Sequence, residues 1–190
     1  MGTPKQLLPL GNATVLEWTL ENLRRALPDE VILVLGSSAD SIRKQLPGSA
    51  VEDIRIVINP DYEEGMSSSL RAGIAAVSAN MNGALIVLAD QPFVRPETLK
   101  RIVEEYRLTQ AQIVIPMHAG RRGNPVLLDR SVFGEVMALE GDIGCRAIFG
   151  RHRDGIVQVE VEDPGILLDI DNPEDYERLR LAEVRAKSVE

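Results

Sequence analysis

The sequence predicts an α/β protein of three layers, a mostly parallel sheet covered on both faces by helices. Two observations carry that expectation. The runs VILVLG (31–36), IRIVIN (54–59) and ALIVLAD (84–90) are rich in Val, Ile and Leu, as strands buried on both faces should be. Segments with helical spacing lie between and around them, at 15–27, 38–46 and 67–79. Strand alternating with helix favours parallel pairing, because each helix carries the chain back to the same end of the sheet.

The remaining elements follow in order. A helix is expected at 96–108, where Pro96 suits the first helical position and Glu97 the positive end of the dipole. IVIPM (113–117) and NPVLLD (124–129) read as strands joined by the turn HAGRRG, with helical segments at 131–139 and near 145–149 and a strand at 156–161. NPEDYERLRLAEVRAK (172–187) closes the chain as a charged helix, with Asn172 as N-cap and Pro173 at its first position. With no repeat, low-complexity tract or linker, residues 1–190 are expected to form a single domain.

A chain of 190 residues with 44% apolar and 26% charged residues can bury a proper core. The formal charge of −8 argues against a broad basic face for nucleic acid or anionic membrane. A single cysteine, Cys145, cannot form an internal disulfide. With no leader and no apolar run of membrane-spanning length, the expectation is a cytoplasmic protein.

In an open α/β sheet, ligands bind beyond the carboxyl ends of the strands. Asp90 closes an apolar strand too early to cap the helix at Pro96, so it is either a loop-entry residue or a cation ligand. Asp169 and Asp171, two apart on extended backbone, point to one side. They either share a cation or lie at a solvated strand end. EGMSSSLRAG (64–73) has more serines than a helix cap needs. It suits a polar ligand, although a small-residue helix start packed close to the sheet accounts for it better. Arg121-Arg122-Gly123-Asn124 reads as a basic turn, and Cys145 as a small packed residue without a base. His118 and His152 lack metal-ligand spacing.

Taken in order, PKQLLPL (4–10), NPDYEEGMSSSLRAGI (59–74), LADQPFV (88–94), RRGNPVLL (121–128), GDIGCRAI (141–148) and DIDNPED (169–175) resemble the molybdenum cofactor nucleotidyltransferase family. The likeness is nearest to its cytidylyltransferase branch. The resemblance implies a Rossmann-like nucleotidyltransferase fold that moves CMP from CTP to a phosphorylated acceptor such as molybdopterin, releasing pyrophosphate, with Mg²⁺ as cofactor. It implies that Lys5 contacts the nucleotide phosphates, that Ser67, Ser68 and Ser69 line the nucleoside pocket, and that Asp90 and Asp171 hold Mg²⁺. Lys5 and Asp90 are then the catalytic pair. Asn124, Asp142 and Arg146 are placed on the acceptor side, and a molybdoenzyme or a second copy of the chain is an implied partner.

Such a transfer brings two anions together, so it needs neutralisation and alignment more than a covalent nucleophile. The alternatives are another acceptor (a sugar phosphate or phospholactate), guanylyl transfer to molybdopterin, or a catalytically impaired member acting as a binding or accessory protein. The resemblance also leads one to expect that the chain opens at the end of the family's first loop, Met1-Gly2. The first central strand would then be missing, leaving unpaired edges on two neighbouring strands.

Overall fold

The computed structural model describes residues 4–187; Met1 and Gly2 lie outside them. A short 3₁₀ turn, Lys5–Leu7, leads to a small antiparallel hairpin of β1 (Pro9–Leu10) and β2 (Ala13–Thr14). The order then runs α1 (Val15–Ala26), β3 (Val31–Leu35), α2 (Ala39–Gln45), β4 (Ile54–Ile58), α3 (Met66–Ala76), β5 (Gly83–Ile86) and α4 (Pro96–Thr109). It continues with β6 (Ile113–His118), β7 (Arg121–Arg122), β8 (Val126–Asp129), α5 (Phe133–Met137), a 3₁₀ segment Cys145–Arg151, β9 (Ile156–Glu160) and α6 (Pro173–Lys187).

Several ends differ from expectation, and most have a local cause. The strand expected to reach Asp90 stops at Ile86, because its antiparallel neighbour begins at Val126, just after Pro125, which has no N–H to donate. The helix expected to run to residue 79 stops at Ala76. Glu30 takes both the backbone N–H and the hydroxyl of Ser78, at 3.1 and 3.0 Å, pulling the chain out of the helical path. The segment expected to be helical at 131–139 divides into a 3₁₀ turn, Arg130–Val132, and the short α5. Asn172 caps α6 as expected, its Oδ1 accepting from Asp175 N at 2.8 Å.

β6 pairs with β9 in parallel and with β8 and β7 antiparallel, and β5 pairs antiparallel with β8. β5, β6 and β9 therefore run the same way. β3 and β4 form a separate parallel pair. Side chains alternate between two apolar faces. Ala84, Ile86, Ile113, Ile115, Val126 and Leu128 pack under α3, α5 and the 145–151 segment, while Val114, Leu127 and Val159 pack under α4 through Ile102 and Tyr106.

The same two helical layers reach across to the β3–β4 pair. On one face Leu16 and Leu20 of α1 pack on Leu33 and Leu35, while Leu23 and Ala26 join the cluster that holds Leu85 of β5. On the other, Gly73 of α3 lies against Val34, where an added Cβ would sit 3.2 Å from Val34 Cγ2, and Ile74 packs with Ala84 and Ile86. The two strand groups are thus side by side in one layer. Among the described residues no strand pairs β3 or β4 to β5.

Two polar contacts fix the ends of α4. Asp163 is 2% exposed and accepts from Arg95 N at 2.9 Å, Thr98 Oγ1 at 2.6 Å and Gly165 N at 2.9 Å, with Arg95 Nε 3.4 Å away. At the far end, Tyr106 Oη donates to Asp129 Oδ2 at 2.5 Å. Burial, aided by the Asp129 charge, pushes the phenol up to about 12.

Asp163→Ala strands the buried donors of Thr98 and Gly165 along with Arg95 N, and equilibrium unfolding in urea should show a loss of about 3 kcal/mol. The folded state holds the Tyr106 proton more tightly than the unfolded chain, so this contribution is intact below pH 10 and lost as pH rises toward 12. Thermal melts across that window should fall less steeply for Tyr106→Phe than for the parent.

Candidate active site

The carboxyl end of β5 leads through residues 87–89 to Asp90. The segment before α6 comes to the same place: buried Ile170 donates its N–H to Asp90 O at 3.2 Å, which sets Asp171 beside Asp90. Lys5 arrives from a third element. Its 3₁₀ turn is anchored by Leu7, 5% exposed among Leu16, Leu33 and Leu35. The result is one ammonium between two carboxylates, with Lys5 Nζ 2.5 Å from Asp90 Oδ2 and 3.3 Å from Asp171 Oδ1. Burial works against the Lys5 charge, but the hydrogen bonds and charges of Asp90 and then Asp171 outweigh it and raise its pKa. Three residues singled out in sequence, 166 positions apart at the extremes, are in contact.

Asp169 does not join Asp171 at Lys5. Its Oδ1 takes the amide of Gln91, while Asp171 turns to Lys5. Backbone alternation puts the two carboxylates on one side, but each finds its own tertiary donor. Gln91 is 2% exposed, and its Oε1 has no hydrogen-bond donor among the described residues. Sequence reading passed over Gln91, whose only signal was its place directly after Asp90.

The second cluster surrounds the start of α3. Gly65 has φ +97°, and a Cβ there would lie 2.6 Å from the backbone of Asp142. That close approach lets Asp142 Oδ1 accept from Met66 N at 3.1 Å and Gly141 O from Ser67 N at 3.3 Å. The loop therefore caps the helix from a distance; the cap is not a serine, as the sequence suggests. Ser67 and Ser68 are 0% and 3% exposed, and Asn59, 3% exposed, donates to Ser68 Oγ at 2.8 Å and Ser69 Oγ at 3.1 Å. Ser69 is less deeply buried. Asn59 was missed in the sequence, although it stands at the carboxyl end of β4 as Asp90 follows β5.

The three residues expected on the acceptor side are not joined to one another by any hydrogen bond or ion pair among the described residues. Asn124 is tied through its backbone N–H to Ile166 O at 3.0 Å, Asp142 caps α3, and Arg146 is exposed. Cys145 is buried, which pushes its thiol up to about 11 and leaves it packed in the core rather than nucleophilic. Among the described residues no group of three or more His, Cys, Asp or Glu is placed to hold a metal, and no helix is long and apolar enough to cross a membrane.

Residues 1–156 match the model of the MobA-like NTP transferase domain family. The chain is 26% identical over 178 residues to the molybdenum cofactor cytidylyltransferase of Escherichia coli K12, covering 93% of this chain and 86% of that one. It is 31% identical over 185 residues to the nicotine blue oxidoreductase of Paenarthrobacter nicotinovorans, covering 93% and 87%. The solved structure of Rv0371c from Mycobacterium tuberculosis in complex with manganese aligns with a TM-score of 0.82 at 34% identity, over 94% of this chain and 92% of that one.

Gly65→Ala should force the 141–142 loop away from α3 and cost about 2 kcal/mol, since it combines a left-handed backbone with a backbone clash. Hydrogen exchange at the Met66 and Ser67 amides, faster than in the parent, is the expected signature.

Proposed function

Because this chain belongs to the MobA-like NTP transferase domain family, we propose that it transfers a nucleoside monophosphate, CMP from CTP, to a phosphorylated acceptor such as molybdopterin. The observation that carries this reading is the Lys5–Asp90–Asp171 cluster at the carboxyl end of the sheet. In the reaction an acceptor phosphate oxygen bonds to the α-phosphorus, the bond from that phosphorus to the β-phosphate oxygen breaks, and pyrophosphate leaves.

Asp90 and Asp171 fit a divalent cation such as Mg²⁺, being hard oxygen donors that already converge on one positive group. A cation held by them supplies neutralisation of the phosphate oxygens as charge builds toward pyrophosphate. Lys5 adds a point charge for the phosphate chain. Ser69, backed by Asn59, presents the serine edge for the nucleoside, and the buried Ser67 and Ser68 shape the wall behind it. Arg146 and Asn124 serve the acceptor, while Asp142 acts through the start of α3. The cytidine preference is supported by the likeness to the Escherichia coli cytidylyltransferase. The protein acts as a single cytoplasmic domain, with a molybdoenzyme or a second copy as its macromolecular partner.

The 31% identity to a protein named nicotine blue oxidoreductase favours a second reading, redox chemistry on nicotine blue or a related compound. Pyrophosphate release, assayed with each of the four nucleotides, Mg²⁺ or Mn²⁺ and molybdopterin, separates the two. CTP should give the fastest release, and Asp90→Asn should lower kcat by about a hundredfold or more with the fold intact. Absence of pyrophosphate release with all four nucleotides, together with redox turnover of nicotine blue, would replace the first reading by the second.

A further inference from the structure

Lys5 holds a position that conflicts with its proposed task. Its Nζ lies 2.5 Å from Asp90 Oδ2 and 3.3 Å from Asp171 Oδ1, the carboxylates assigned to the cation, yet the ammonium is also the charge assigned to the phosphates. Mg²⁺ binds carboxylate oxygen at about 2.0–2.1 Å, so the ammonium and the ion cannot both occupy the space between these carboxylates. We infer that Lys5 is a resident counter-cation, closing the Asp90–Asp171 pair to divalent ions until a phosphate chain draws its side chain away. This rests on the reading of Asp90 and Asp171 as the cation's ligands.

The charges set the order of events. Two carboxylates alone repel, and with Lys5 between them the cluster carries −1. With a divalent ion in its place the pair is neutral, and the displaced ammonium needs a new anion. A polyphosphate supplies that anion and brings its own ion. The backbone is suited to such an exchange. Leu7 is buried and Val15 N bonds Leu8 O at 3.0 Å, so the turn carrying Lys5 is fixed and only its flexible four-carbon stem need move. The Lys5 side chain is 31% exposed, which leaves it a way out. The carboxylates stay in place when it goes, because Ile170 N bonds Asp90 O and Gln91 holds Asp169 on the neighbouring turn.

The test reads metal binding without turnover. Mn²⁺ is titrated into the full 190-residue chain without nucleotide, and free ion is followed by electron paramagnetic resonance. Lys5→Met should bind Mn²⁺ about tenfold or more tightly than the parent, since the competing charge is gone. Lys5→Gln should show the same gain, and Lys5→Arg, which keeps the charge, should stay near the parent. Adding Asp90→Asn to Lys5→Met should erase the gain. No gain in either neutral variant, or a gain that survives Asp90→Asn, overturns the inference. Pyrophosphate release by the parent is scored separately. Tightened Mn²⁺ binding without any release keeps the exchange and sinks the transferase reading, whereas release with no tightening sinks the exchange alone.

Discussion

Two carboxylates held side by side at the lip of an apolar sheet cannot stand without a positive charge, and much of this molecule's local architecture answers to that constraint. Asp90 follows a strand whose apolar side chains are half-buried on both faces, and Asp171 is brought next to it by a backbone hydrogen bond and the burial of Ile170. Lys5 meets both. The start of the described chain, the end of β5 and the approach to α6 are thereby gathered at one point. Each element arrives on its own apolar anchor: Leu7 for the lysine, the β5 face for Asp90, Ile170 for Asp171. Packing places the charges, and the charges then complete one another.

The layer beneath is built differently on its two sides. β5, β8, β6 and β9 form a continuous ladder, whereas among the described residues β3 and β4 pair only with each other. The layer holds together because α1 and α3 pack across both groups. Small residues make this work on the α3 side. Gly73 lets the helix approach Val34, and the buried Ser67 and Ser68 fit where larger side chains would lift it. The serine run, in excess for a cap, is largely accounted for by close packing and by the two hydrogen bonds that the Asn59 side-chain amide donates.

Membership in the MobA-like NTP transferase domain family fits this arrangement. The pairing of Asp90 and Asp171 with a cationic group is what phosphoryl chemistry requires, because the transfer depends on neutralising and aligning charge rather than on a covalent nucleophile. Burial of Cys145 with a raised thiol pKa is consistent with that economy. Acidic overall charge and a local lysine are compatible, since a small phosphorylated ligand needs one well-placed cation and not a basic face.

By itself the sequence determined the α/β alternation, most of the order of the elements, the cap of α6 at Asn172 and the candidacy of Asp90 and Asp171, with Lys5 added by the motif resemblance. All of these are written in local composition, in period-two or helical spacing, or in short motifs, and local signals survive without knowledge of distant neighbours. Only the tertiary structure decided that Asp169 belongs to Gln91 and not to Asp171, that Asp142 caps α3 across 76 positions, and that Asn59 binds the serines. It also decided that α3 ends early at Glu30's hold on Ser78, and that Lys5 lies between the two carboxylates. The reason is common to all of them: a polar group withdrawn from water must find a donor or acceptor, and which one it finds depends on what the fold brings within about 3 Å of it.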